Sequence, residues 1–172
     1  QYPKLEITIP KAFGEALGER KSLYLKAMTL RNNNYGIGAV VYLRRVIEET
    51  TDDMLDLLEE HMVAAGSPEA DIEALRAVKK STQFEDKVSE AAKVMPEHFR
   101  PGGVNPFADL YKLVSIGLHN KTDEECCAIV DGMDGALKFI YTRWKTYVDE
   151  TRAYKEAAKA TREAVDKMQK GG

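Results

Sequence analysis

The chain has 172 residues, which is enough for one domain with a buried core. Apolar residues make up 44% of it and charged residues 31%, a balance typical of a folded protein. The net charge of −3 excludes the strong overall basic charge of many nucleic-acid-binding proteins. No run of about 18 apolar residues and no signal peptide is present, so we expect a cytoplasmic protein without a membrane span. Because the sequence begins with Gln1 rather than Met, we expect it to be part of a longer chain.

The first eleven residues have the pattern of an extended segment. Leu5, Ile7 and Ile9 alternate with polar residues, which favours a strand, and a proline stands on each side of the run. No second strand follows that could pair with it. We therefore interpret residues 1–11 as a strap on the surface of the domain or as a linker.

Two helical segments follow. Apolar residues at helical spacing predict one helix from Ala12 to about Arg31, and asparagines 32–34 then favour a turn. The next helix is predicted from about Tyr35 to Ala65, where Gly66 provides a left-handed cap. The apolar stripe predicted for this helix consists of Ile37, Val40, Val41, Ile47, Met54, Leu55, Leu58 and Met62.

Shorter elements fill the middle of the chain. Helices are predicted over residues 67–80, 83–95 and 106–118, the last of them capped by Asn105 and preceded by a loop rich in proline and glycine. Thr122 and Glu125 then have the spacing of a capping box at the start of the final helix.

The final helix has no strong stop signal before Gly171, and its apolar residues are spaced alternately four and three apart for about six heptads. We expect residues 122–147 to pack in the core and residues 148–172 to project as a continuation, which pairs with another arm, leads to a further domain or ends as a solvated helix. The seam consists of Cys126, Val130, Met133, Leu137, Ile140, Trp144, Tyr147, Thr151, Tyr154, Ala158, Thr161, Val165 and Met168.

No metal site and no cofactor are expected. The only cysteines, Cys126 and Cys127, are neighbours that rarely form a disulfide, and the three histidines are distant in sequence. We interpret both cysteines as reduced thiols of the core. Phosphate-binding loops, dinucleotide fingerprints and metalloprotease motifs are missing.

Two segments carry polar residues that suit a site. Arg44 and Glu48 lie four apart on the long helix, so we expect an ion pair on one face, either on the surface or as a polar site. His119 lies in a turn before a helix N-terminus, where free N–H groups favour anions and a histidine suits acid–base chemistry. The alternative is a histidine that only bonds the backbone of its turn.

Together, these segments resemble the HEPN-like superfamily. The resemblance rests on Gly-Ala-Val-Val-Tyr-Leu-Arg-Arg-Val-Ile-Glu at 38–48, on Ile-Gly-Leu-His-Asn at 116–120 and on the acidic start of the final helix. It extends over about residues 12–147 and is greatest to an uncharacterised bacterial branch with a Leu-Arg-Arg-x-x-Glu helix and a late turn that contains Gly and His. The resemblance implies an all-α, antiparallel up-and-down bundle that forms homodimers.

Catalytic members of this superfamily are metal-independent ribonucleases, often of bacterial defence systems, with an Arg and a His that are separated by four to six intervening residues. Here the matching positions are Lys112 and His119. Two functions therefore stay open, beside a purely structural scaffold in which His119 and Arg44 are polar residues of the core with satisfied hydrogen bonds. The first is a non-catalytic or weakly catalytic module for dimerisation and for binding a ligand or partner, including other domains of its own chain, through Arg44, Arg45, Glu48 and Asn120. The alternative is a ribonuclease that uses His119, with Lys112 or Arg44 as the ligand of an RNA or nucleotide phosphate.

Overall fold

The structure is a computed structural model that describes residues 7–94, 100–105, 108–109, 112–113, 115–116 and 118–170. Within these residues the fold is an all-α helical bundle without a β-strand, which confirms the predicted class. Residues 1–6 of the predicted strap lie outside the described part, whereas Ile7 and Ile9 pack partly buried against the core. The described α-helices are α1 (Lys11–Leu17), α2 (Lys21–Asn32), α3 (Gly36–Ala65), α4 (Glu69–Lys79), α5 (Phe84–Val94) and α6 (Asp123–Lys170).

The first predicted helix is in fact two helices, so the prediction of one continuous helix from Ala12 to Arg31 was wrong. Gly18 adopts φ 54, a left-handed conformation that glycine tolerates, and it ends α1. A 3-10 turn over Gly18–Arg20 then leads into α2. The break lets Phe13 of α1 pack edge-on against Tyr24 of α2, with ring centroids 5.1 Å apart.

Contacts between the helices show the relative directions of α2, α3 and α6. A short turn with Asn34 at φ 63 joins α2 to α3, which are antiparallel. Helix α6 runs parallel to α3, because Ile37 at the start of α3 contacts Asp123, and His61 near its end contacts Tyr147. Both long helices therefore begin at the same end of the bundle.

Helix α3 is the central element of the core. Gly66 ends it at φ 70, the predicted left-handed cap. Most of its predicted stripe is buried, but Ile37 and Val41 are 41% and 52% exposed. These two members of the stripe do not join the core, because the buried residues follow the neighbouring row of the helix, at Gly36, Ala39, Val40, Leu43, Val46, Ile47, Thr50, Thr51, Met54, Leu55, Leu58 and Met62.

Charged side chains attach α4 to the second half of α3. Glu59 of α3 accepts hydrogen bonds from Arg76 Nε at 2.8 Å and from Lys79 Nζ at 2.5 Å. Lys79 also reaches Asp56 at 2.7 Å. The two cations hold the pKa of the Glu59 carboxyl below its usual value. These contacts show that α3 and α4 are antiparallel.

Helix α6 has two halves of different character. Its first seam positions lie in the core, from Cys126, which is fully buried, to Ile140, which is 8% exposed. Tyr147 then reaches His61 of α3, with 3.0 Å between the phenol oxygen and Nδ1. Farther along, Tyr154 is 76% exposed and Met168 is 81% exposed. The bundle therefore uses only the first half of the seam.

The cysteines agree with the prediction of free thiols. Cys126 is buried, and burial is the main cause that raises the pKa of its thiol. Cys127 is half-buried, and its Sγ lies 3.8 Å from the carbonyl oxygen of Arg31 in α2.

Candidate binding surface at the start of helices α3 and α6

The first turns of α3 and α6 are in direct backbone contact. A Cβ added to Gly36 would lie 2.1 Å from the carbonyl oxygen of Asp123 and 2.5 Å from the backbone nitrogen of Cys127. Only a glycine fits between these atoms. The adjacent backbone N–H of Ile37 donates to Asp123 Oδ1 at 2.9 Å, so the acidic cap of α6 also satisfies a free donor of α3.

The turn before α6 is built by local hydrogen bonds. Lys121 N–H donates to the carbonyl oxygen of Leu118 at 3.2 Å, and Asn120 adopts φ 63. The predicted capping box is confirmed: Thr122 N–H donates to Glu125 Oε2 at 2.9 Å, and Glu125 N–H donates to Thr122 Oγ1 at 3.2 Å. The Thr122 N–H and the nearby Lys121 ammonium hold the pKa of the Glu125 carboxyl below its usual value.

His119 and Asn120 are exposed on this turn. Lys112 is also exposed, and its Nζ lies 3.5 Å from Asp109 one helical turn away. In the described part of the chain, no hydrogen bond or ion pair joins His119 to Lys112 or to Arg44. Two residues between Lys112 and His119 lie outside that part: Val114, and Gly117 of the quoted motif.

The first half of α3 presents a partly exposed face, which we call the α3 face: two of its residues are exposed, and Arg44 and Glu48 are half-buried. Ile37, Val41, Arg44 and Glu48 are spaced by four, three and four residues, so they lie in one row along the helix. Tyr35, at the N-cap, adds a side chain that is 61% exposed. The row thus begins apolar and ends charged.

The ion pair on α3 forms one residue later than predicted. Arg45 Nε lies 2.9 Å from Glu49 Oε1, whereas no ion pair between Arg44 and Glu48 occurs among the described residues. Arg20, from the turn between α1 and α2, also approaches Glu49 at 4.0 Å. Glu49 therefore lies between two guanidinium groups, although the closest partner of Arg20 is Asp53, at 2.5 Å.

Sequence reasoning identified the charged half of the α3 face but missed its apolar half. Ile37 and Val41 belong to the apolar stripe predicted for α3, and such a stripe ordinarily faces the core. The sequence did contain evidence of their exposure. Ile37 and Val41 each directly follow a residue of the buried row, Gly36 and Val40. A helix with two adjacent rows of apolar residues has more apolar surface than one neighbouring helix can cover.

A separate cleft lies between α1, α3 and α6. Its volume is about 100 Å³, and Thr50, Asp53, Tyr141 and Trp144 are among the side chains that line it. Burial raises the pKa of the Tyr141 phenol above its usual value. Ligand sites usually enclose about 300 Å³ or more, so this cleft is too small for a typical metabolite.

Comparisons of the chain with models of protein families, with curated proteins and with solved structures find no match. No helix in the described part of the chain is long and apolar enough to cross a membrane. Among the same residues, no three metal-binding side chains come together. The fold therefore defines the class, an all-α helical bundle, and the α3 face is its candidate contact surface.

Proposed function

We propose that this chain is a non-catalytic or weakly catalytic HEPN-like module of a larger bacterial protein, where it dimerises and binds a partner. We place it in the cytoplasm and in a defence system. The observation that supports partner binding is the α3 face, where Ile37 and Val41 are exposed next to two arginines. Exposed apolar side chains beside a guanidinium are typical of protein contact surfaces.

The charges of the α3 face indicate the chemistry of its partner. Arg44 forms no ion pair within the described residues, and Arg45 remains 65% exposed although it pairs with Glu49. A guanidinium that is available in this way binds carboxylates through two parallel hydrogen bonds. The surface therefore suits an apolar segment that carries an acidic group, such as the face of an amphipathic helix.

An anionic aromatic dye tests this chemistry without knowledge of the partner. We expect 1-anilinonaphthalene-8-sulfonate to bind the wild-type protein, because its rings match the apolar half of the α3 face and its sulfonate matches Arg44. Val41→Asp should reduce the fluorescence gain several-fold. Val63→Asp is the matched control, because Val63 lies on the same helix and is 53% exposed against 52% for Val41. Equal dye binding by the two variants would contradict a contact surface at the α3 face.

A ribonuclease is the second candidate, and the exposure of His119 at the surface favours it. The test is incubation of wild-type and His119→Ala protein with mixed single-stranded RNA in excess EDTA. The non-catalytic proposal predicts intact RNA in both reactions at micromolar protein. Cleavage by the wild type alone, with cyclic-phosphate ends, would instead show a metal-independent nuclease that depends on His119.

A further inference from the structure

The exposed second half of α6 carries a narrow apolar row, and we call residues 149–170 the arm. The arm contains three large apolar residues, and all three are exposed: Tyr154 by 76%, Val165 by 46% and Met168 by 81%. Each of them falls on a seam position, in line with Thr151, Ala158 and Thr161. An apolar row that is confined to one side of a solvated helix indicates a partner for that side.

Within the described residues, no other helix of the same chain covers this row. Helix α3 runs parallel to α6 and ends at Ala65, four residues after the contact between His61 and Tyr147. The arm continues beyond that point to Lys170, a length of about 33 Å at 1.5 Å per residue. A second copy of the chain carries the same row on an arm of the same length.

We propose that the arms of two copies pair as a parallel, two-stranded coiled coil. This inference rests on the dimerisation in the proposed function and names the surface that carries it. The charged residues on either side of the seam favour the parallel orientation of the two arms. In a parallel pair, Glu150 of one arm faces Lys155 of the other, on both sides of the seam, and these charges attract. Neither residue has an ion pair within the described chain.

The antiparallel alternative brings like charges together. If the seam layers of two antiparallel arms are aligned, Lys155 of one arm lies opposite Arg162 of the other, twice per dimer. On the other side of the seam Ala157 faces Ala164, and Glu150 and Gln169 near the ends of the arm face uncharged positions. No attraction therefore offsets the repulsion between Lys155 and Arg162. The same sequence thus favours one orientation and penalises the other.

The polar members of the row weaken the pairing without preventing it. Thr161 Oγ1 already donates to the carbonyl oxygen of Ala157 at 2.9 Å, so its hydroxyl keeps a hydrogen bond when the methyl group is covered. Alanine and threonine bury little surface, however. We therefore expect a dimer that dissociates on dilution through the micromolar range.

Sedimentation equilibrium of two aspartate variants tests the arm. Ala158 lies on the seam, whereas Ala160 lies on the outer side of the same turn. Wild type and Ala160→Asp should form dimers with similar dissociation constants. Ala158→Asp should weaken the dimer at least tenfold, because it buries two carboxylates against each other. The two substitutions add the same charge to the same helix, so equal dissociation constants would overturn the proposal.

Charge exchange tests the orientation. Glu150→Lys and Lys155→Glu should each weaken the dimer roughly tenfold, because each turns two attractions into repulsions. The double variant should recover the wild-type dissociation constant, since the pair is restored with its signs exchanged. A double variant that is as weak as the single variants would overturn the parallel arrangement.

The results also separate this inference from the proposed function. A wild-type dimer that tolerates Ala158→Asp would retain dimerisation but reject the arm as its surface. A wild-type monomer at several hundred micromolar would reject both. Loss of dye binding in Val41→Asp, with the dimer intact, is expected, because the α3 face and the arm lie at opposite ends of α6.

Discussion

Gly36 shows how a single residue determines the relation between two helices. Alanine at this position would place its Cβ within 2.1 Å of backbone, which cannot move aside as a side chain can. We expect Gly36→Ala to lower the free energy of unfolding by about 3 kcal/mol, since α3 and α6 must separate. Urea denaturation followed by circular dichroism measures this change.

Gly132 is the matched control, because it lies within α6 and a Cβ there meets nothing within 4 Å. Gly132→Ala should raise the free energy of unfolding by about 0.5–1 kcal/mol, because alanine loses less conformational freedom in a helix. If both variants change stability alike, the close contact of α3 with α6 is not the reason for the glycine at position 36.

The capping box makes the start of α6 sensitive to pH. The pKa of Glu125 is lower in the folded protein, so its contribution to stability is present above its usual value of 4.5 and is lost as the pH falls through the lowered pKa. Glu125→Gln keeps the shape but not the charge. We expect the wild type to be more stable than Glu125→Gln at pH 7, and the difference to shrink towards pH 3.

Unfolding of both proteins by urea across this pH range measures the effect. Glu124→Gln is the control: it removes a charge from the same helical turn, but Glu124 accepts no hydrogen bond in the described chain. Its difference from the wild type should be smaller and should depend less on pH. A larger effect of Glu124→Gln would attribute the stabilisation to the helix dipole rather than to the capping box.

Features that depend on local spacing could be predicted from the sequence. Thr122 and Glu125 were recognised as a capping box and Gly66 as a left-handed cap, because each motif is complete within a few residues. Features that depend on distant residues could not. The ion pair of Arg20 with Asp53 joins the turn after α1 to α3, and only the folded chain brings these residues together.

The break between α1 and α2 at Gly18 also depends on residues that are distant in sequence. One glycine within a helical pattern costs only about 1 kcal/mol, so the sequence favours an unbroken helix. The packing of Phe13 against both Tyr24 and Tyr141 requires α1 to turn, and that gain becomes visible only in the assembled bundle. The same holds for the candidate site. Its charged residues could be identified from the sequence, whereas the exposure of Ile37 and Val41 became visible only in the structure.

At the scale of the whole molecule, one helix serves two purposes. Residues up to Tyr147 complete the core of a single copy, and residues 149–170 continue the same row of positions without a partner in that copy. Pairing of two arms would leave both α3 faces free at the far ends. A dimer of this shape presents two binding surfaces, so a partner with two matching segments would gain from effective concentration.

Amide hydrogen exchange at two protein concentrations tests this division of α6 most directly. We expect the amides of residues 126–147 to be protected at both concentrations, because the core of one copy holds them. The amides of residues 149–170 should be protected only at the concentration where dimers form, and should exchange rapidly after dilution. Equal exchange of the arm at both concentrations, with dimers present only at the higher one, would contradict the account.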